Sequence, residues 1–148
     1  MPVDVALVGR TYPPTAPYRV SREKIREFAD AIKDPNPAYR DVDAARALGH
    51  PDVIAPPTMA MVLTLDAGAQ VVLDPELGLD FARVVHGEER FVHHRPVAAG
   101  DLLQVTATLD DVRVAAGNDL VTTRYDVRTV DGEDVVTAYE TLVARGAS

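Results

Sequence analysis

The stretch from Val53 to Leu73, VIAPPTMAMVLTLDAGAQVVL, opens on two prolines and then runs apolar with almost no charge. Pro57 fits the first helical position, where a missing N–H costs nothing. Met59, Ala60, Met61, Val62, Leu63 and Leu65 follow, and only Asp66 interrupts the first three turns. A helix that is apolar on every side must be buried on every side. At roughly 17 to 20 residues the segment approaches the length that crosses a bilayer. Asp66, Gln70 and two threonines lie inside it, however, and its flanks are not those of a spanning segment. The pattern predicts one core helix wrapped by a sheet. Taken alone, it fits an ordinary core helix with no direct part in function equally well.

A chain of 148 residues has room for one core, so residues 1–148 read as a single domain. The formal charge of −8 is spread without a basic stripe, which argues against nucleic acid and anionic membrane as partners. With no cysteine, a disulfide framework and thiol catalysis are excluded. The first twenty residues lack a basic start followed by a continuous apolar run, so no signal peptide is expected and the cytoplasm is the default location.

Residues 1–17 carry four prolines and read as an extended lead-in rather than an element. Tyr18 to Val20 fits a short strand. Ser21 is a good N-cap, and Ile25, Phe28, Ala29 and Ile32 fall at helical spacing, so 22–33 is predicted to be an amphipathic helix ended by Asp34-Pro35. A loop leads to a short helix at about 44–48 with Gly49 at its C-terminal cap. After the central helix the period changes. Segments 83–94, 101–114, 120–130 and 134–145 are rich in Val, Thr, Leu and Tyr and are separated by turn residues, including Asp131-Gly132. One early strand, one long helix and four successive antiparallel strands make an α+β domain of hot-dog type, a curved sheet of about five strands around the helix. An open sheet edge needs covering or pairing, so a dimer with a continuous sheet is expected.

The densest polar constellation on a loop is Asp34-Pro35-Asn36-Pro37-Ala38-Tyr39. Its prolines stiffen the backbone as a site requires, but Asp, Pro and Asn are also the commonest turn residues, and spacing alone favours a helix stop. Together with GHPDVIAPPT before the central helix and HHRPVAAGDLL on entry to a strand, this loop resembles the MaoC-like hot-dog family of (R)-specific enoyl-CoA hydratases and 3-hydroxyacyl-ACP dehydratases, from about Tyr18 to Arg145. In that family the loop reads Asp-x-Asn-Pro-aliphatic-His. The aspartate and histidine act as a pair on the water and on the proton next to the thioester carbonyl, and an amide at a glycine opening the central helix polarises that carbonyl.

Asp34, Asn36 and Pro37 fit the loop pattern, while Tyr39 stands at the histidine position and Pro56-Pro57 replaces the histidine–glycine pair. A phenol with an ordinary pKa of about 10 does not replace an imidazole near 6.5 as a base at neutral pH, and a proline offers no N–H. The resemblance therefore implies the degenerate branch, like the acyl-binding half of double-hot-dog hydratases or the acyl-chain-binding subunit of heterodimeric dehydratases. A catalytic hot-dog partner would supply the Asp/His pair; alone, the chain would form a homodimer. The residues expected at the site are then Asp34 and Asn36 from the degenerate motif, with Tyr39, Pro57, Thr58, Met61 and His86 against an acyl thioester of CoA or acyl carrier protein.

Other readings compete with this one. An active homodimeric hydratase or thioesterase would use Asp34 with a base such as His86. A non-enzymatic module would only bind acyl thioesters. His86 and Glu88, two apart on one strand face, are the pair that would matter to the former. His93 and His94 would point to opposite faces, and His50 would lie on an exposed loop. No cofactor is called for, and the absence of a His-x-x-x-His or similar spacing argues against a metal. Arg40, Arg83 or Arg95 would serve a thioester's phosphates in all three readings.

Overall fold

The computed structural model of the chain describes residues 2–146; residues 1, 147 and 148 of the expected single domain lie outside the described residues. Ser21 accepts a hydrogen bond from the Lys24 N–H and starts α1 (Arg22–Ala31), which buries Ile25 and Ala29. The helix ends at Lys33, where φ is 58°, just before Asp34-Pro35. A 3-10 turn over Pro37–Tyr39 leads to α2 (Val42–Ala47). This helix begins two residues earlier than expected, because the Asp41 carboxylate accepts the N–H groups of Asp43 and Ala44.

The central helix α3 (Ala60–Val72) is preceded by a 3-10 turn at Pro57–Met59, so the proline opens a tighter turn rather than the α-helix itself. Its entry is fastened on both sides. Ala55 N–H donates to Val97 O at 2.8 Å and Ala99 N–H to Val53 O at 2.9 Å.

Five strands form one antiparallel sheet in the order β1-β3-β4-β5-β2: β1 (Tyr18–Arg19), β2 (Val84–His93), β3 (Leu102–Ala115), β4 (Asn118–Thr129) and β5 (Asp134–Ala144). The strands fall within a residue or two of the expected spans, and the curled sheet with its helix is the hot-dog fold. Ala116 and Gly117 both take positive φ, 50° and 77°, the geometry a two-residue hairpin demands. Directly paired residues share a face. The inner face carries Leu103, Val105, Ala107 and Leu109 from β3, Val121, Tyr125 and Val127 from β4, and Val136, Ala138 and Leu142 from β5, most of them fully buried.

The lead-in is more than a tail. Gly9, Tyr12 and Thr15 donate backbone N–H groups to Leu109, Ala107 and Val105, running along the outer edge of β3. Pro13, Pro14 and Pro17 lack the donors for an unbroken ladder, which is why the segment pairs without counting as a full strand. Its anchor is the Asp74 carboxylate just after α3, which accepts the Tyr12 hydroxyl and the Arg10 guanidinium, each at 2.7 Å, and the Glu76 N–H at 2.9 Å. The β3 edge is thereby covered. The outer edge of β2 has no strand beside it among the described residues.

Burial alone would push the Asp74 carboxyl up, but the hydrogen bonds from Tyr12, Arg10 and Glu76 outweigh it and hold the carboxyl below the usual range. A depressed carboxyl stabilises the fold above its ordinary pKa, and that stabilisation is lost as pH falls through the lowered value. Asp74→Asn is expected to lower the Tm at pH 7 by about 3–6 °C. The gap to the parent protein should close below about pH 4, measured by thermal unfolding across pH.

Candidate functional site

The loop singled out by its sequence is a set of local caps. Asp34 Oδ1 accepts the Asn36 N–H at 3.1 Å and Asn36 Oδ1 accepts the Ala38 N–H at 3.0 Å, the Asx turns that such residues form in any tight turn. Tyr39 is buried and forms one wall of a cleft of about 410 Å³ with Pro56, Pro57, His93, His94 and Pro96. Burial first, and then the charge of Asp34, push the Tyr39 phenol above its ordinary value. It stays protonated at neutral pH and offers no base. Thr58 is exposed in the 3-10 turn that opens the central helix.

Arg40 pairs with Asp30 and with the Asp34 carbonyl. Arg95 grips Asp101 through two hydrogen bonds of 2.8 and 3.0 Å and also reaches Glu133. Neither guanidinium is free for a phosphate. Arg83 is half-exposed and only 3.6 Å from Asp80.

A second cleft, of about 460 Å³, lies along the central helix. The expectation that α3 is buried on every side is corrected here. Ala60, Thr64, Ala67 and Val71 are buried against the sheet, but Met61, Leu65 and Leu73 are 40%, 58% and 77% exposed. They form an apolar stripe, joined across the cleft by Phe81, Val84 and Leu142. Met61 and His86 line this cleft, while Tyr39 and Pro57 line the other. Asp34, Asn36 and Thr58 line neither cleft, so the residues singled out by sequence are not brought together at one place.

At one wall of the helix cleft stands a polar group of which sequence reasoning singled out His86 and missed Glu89, Tyr125 and Glu140. The Tyr125 hydroxyl donates to Glu140 Oε1 at 2.9 Å, and His86 Nε2 lies 2.9 Å from Glu89 Oε2 and 3.6 Å from Glu140 Oε2. The expected pairing of His86 with Glu88 is corrected to Glu89. A β-bulge at Gly87 breaks the alternation, so that His86 opposes Leu142 and Glu89 opposes Glu140, two residues on one face of β5. Glycine is needed there, because a Cβ would lie 2.9 Å from the Val143 side chain and 3.2 Å from the Thr141 carbonyl. Burial pushes the Glu89 carboxyl up; the His86 hydrogen bond opposes this and the Glu140 charge adds to it. Glu89 Oε1 is buried without a partner. The signal lay in the register of β5, where Glu140 falls in step with the core residues Val136, Ala138 and Leu142.

His86, Glu89 and Glu140 each offer a ligand atom within 4.8 Å of the others, a grouping that could hold a metal ion. It is drawn from two strands and so leaves no linear spacing to read. No helix among the described residues is long and apolar enough to cross a membrane.

The family described as FAS1-like, dehydratase domain region, matches residues 6–138. The UPF0336 protein of Saccharopolyspora erythraea is 56% identical over 148 residues, covering 100% of this chain and 95% of its own. That of Streptomyces coelicolor is 58% identical over 147 residues, covering 99% and 98%. Among solved structures, a MaoC-like dehydratase superposes with a TM-score of 0.89 at 36% identity over 96% of this chain and 43% of its own, so this chain spans less than half of that protein. The C-terminally truncated HadBC (3R-hydroxyacyl-ACP dehydratase) complex of Mycobacterium tuberculosis superposes with a TM-score of 0.83 at 34% identity, over 93% of this chain and 96% of that one. This chain belongs to the FAS1-like dehydratase-region family, in its MaoC-like hot-dog form.

Proposed function

We propose that this protein is the acyl-chain-binding subunit of an (R)-specific enoyl-thioester hydratase or (3R)-hydroxyacyl-thioester dehydratase, working with a hot-dog partner that carries the Asp/His pair. The observation that carries this reading is the split between the two clefts. Where the family's chemistry would sit, Asp34 and Asn36 are committed to backbone caps, Tyr39 is a protonated wall, and Pro57 has no amide to offer an oxyanion. Beside α3, an apolar cleft open to solvent offers Met61, Leu65 and Leu73 to a chain of methylenes. Burying each methylene there is worth about 0.8 kcal/mol. The substrate thioester of CoA or acyl carrier protein would lay its chain in that cleft while the partner acts on the carbonyl end.

The unpaired edge of β2 supports a two-chain assembly. It is ten residues long, with Val85 and Val92 exposed, and such an edge is a template for another strand. An active homodimer using Asp34 with His86 is disfavoured, since His86 faces the helix cleft and is held by Glu89, while the Asp34 loop borders the other cleft through Tyr39.

The test is hydration of a trans-2-enoyl-CoA, followed by loss of the conjugated-thioester absorbance, with the chain alone and co-purified with a hot-dog chain of its own genome that keeps an intact Asp/His loop. Turnover is expected only in the mixture; turnover by the chain alone would overturn the proposal. Tyr39→His alone should leave the isolated chain inactive, because the amide missing at Pro57 still costs about 10²–10³ in rate. In the active complex, Leu65→Trp should fill the cleft and lower kcat/KM for a long-chain enoyl-CoA by about tenfold or more while sparing crotonyl-CoA. Equal losses on both substrates would place the acyl chain elsewhere.

A further inference from the structure

The helix cleft is apolar along Met61, Leu65, Phe81 and Leu142, yet one wall ends on Tyr125, Glu140 and His86, with Glu89 behind. This group has more acceptors than donors. The Tyr125 proton is already given to Glu140 Oε1, and His86 Nε2 faces Glu89 Oε2. Glu140 Oε2 lies 3.6 Å from His86 Nε2, beyond hydrogen-bond length. Glu89 Oε1 is buried with no partner at all. An unsubstituted hydrocarbon entering the cleft would strip water from Glu140 Oε2 and return nothing, which is costly for a carboxylate. A carbonyl or carboxylate on the ligand would add a further acceptor and fit worse.

We infer that the cleft is built for an acyl chain bearing a hydroxyl group away from its thioester end, with Glu140 accepting that hydroxyl and the His86–Glu89 pair holding Glu140 in place. The selected substrates are hydroxylated acyl thioesters, and Glu140 is the specificity-determining residue. The bulge at Gly87 matters because it sets Glu89 rather than Glu88 opposite Glu140. Gly68 on α3 matters because any Cβ there would come within 2.9 Å of the Tyr125 hydroxyl. This inference rests on the reading of the helix cleft as the acyl site.

The experiment is calorimetric titration of the full chain, alone and in complex with its partner, with dodecanoyl-CoA and a set of its mono-hydroxylated isomers from mid-chain to the terminal carbon. At least one isomer is expected to bind about tenfold more tightly than dodecanoyl-CoA, as one charge-assisted hydrogen bond provides, with the gain confined to one or two neighbouring positions. Glu140→Leu should abolish the preference and tighten dodecanoyl-CoA. The near-isosteric Glu140→Gln, which preserves the shape of the wall, should reduce the preference and serves if the leucine variant does not fold. Equal affinity for all isomers, or a preference that survives Glu140→Leu, would overturn the inference and leave the acyl reading standing. Failure of every acyl chain to bind would overturn both. A tetrahedral Co²⁺ spectrum lost in His86→Ala and unaffected by hydroxyacyl-CoA would also overturn it, assigning the group to an ion instead.

Discussion

The hydrogen bond from the Tyr125 hydroxyl to Glu140 sits on the inner face of the sheet, with Tyr125 itself 1% exposed. In that position neither partner can be spared. A lone carboxylate on an otherwise apolar face costs several kcal/mol of lost solvation, and a buried hydroxyl without an acceptor costs about 1–3. Their union also sets how α3 lies. The helix presents Ala60, Thr64 and Ala67 to the sheet, small side chains that allow close approach, and Gly68 where it meets the phenol. Beyond that contact Met61, Leu65 and Leu73 stay open to solvent, facing Phe81, Val84 and Leu142 across a gap that has Tyr125, Glu140 and His86 at one end. The cleft is what remains between an apolar helix stripe and a sheet end that carries acids.

Most of the fold was legible because it follows from local rules. Ser21 as a cap, Asp34-Pro35 as a stop, the change of period after the central helix and Asp131-Gly132 as a reversal each act within a few residues, and each element lies close to its predicted span. The central helix was misjudged in one respect. Hydrophobicity on all sides of a helix says that its surface should leave water, but not that the chain itself supplies every covering surface. The lead-in was misjudged in another way. Its prolines argue against a strand, yet Gly9, Tyr12 and Thr15 still reach the β3 edge through the donors the prolines leave free, and Asp74 fastens them from the far end of α3.

The site was less legible, for a geometric reason. Asp34, Asn36 and Tyr39 sit within six residues, so a motif can display them together. His86, Glu89, Tyr125 and Glu140 are brought together by the register of three strands, and a single extra residue decides which glutamate takes part. Read with strict alternation, His86 faces Glu88; with the bulge at Gly87 it faces Glu89. A one-residue slip in a strand moves side chains to the opposite face, so pairing partners across a bulge cannot be read by counting. What could be read was Glu140 in step with core positions of β5, a charge where the pattern wants a hydrocarbon.

The two clefts differ in chemistry, and that difference is the physical sense of the proposed division of labour between two chains. Adding water to an enoyl thioester needs a polarised carbonyl, a poised base and a water held between them. Holding a long acyl chain needs a surface from which water has been removed. In a hot-dog domain both demands fall on the same helix: its N-terminal end must offer amides, and its flank must offer apolar area. Here the N-terminal end holds Pro56 and Pro57, which stiffen the entry and offer no N–H at either position, while the flank stays open along three exposed apolar side chains. On the proposed reading a helix start freed from catalysis can be built for rigidity, and rigidity at that end would fix the line of the cleft for an acyl chain.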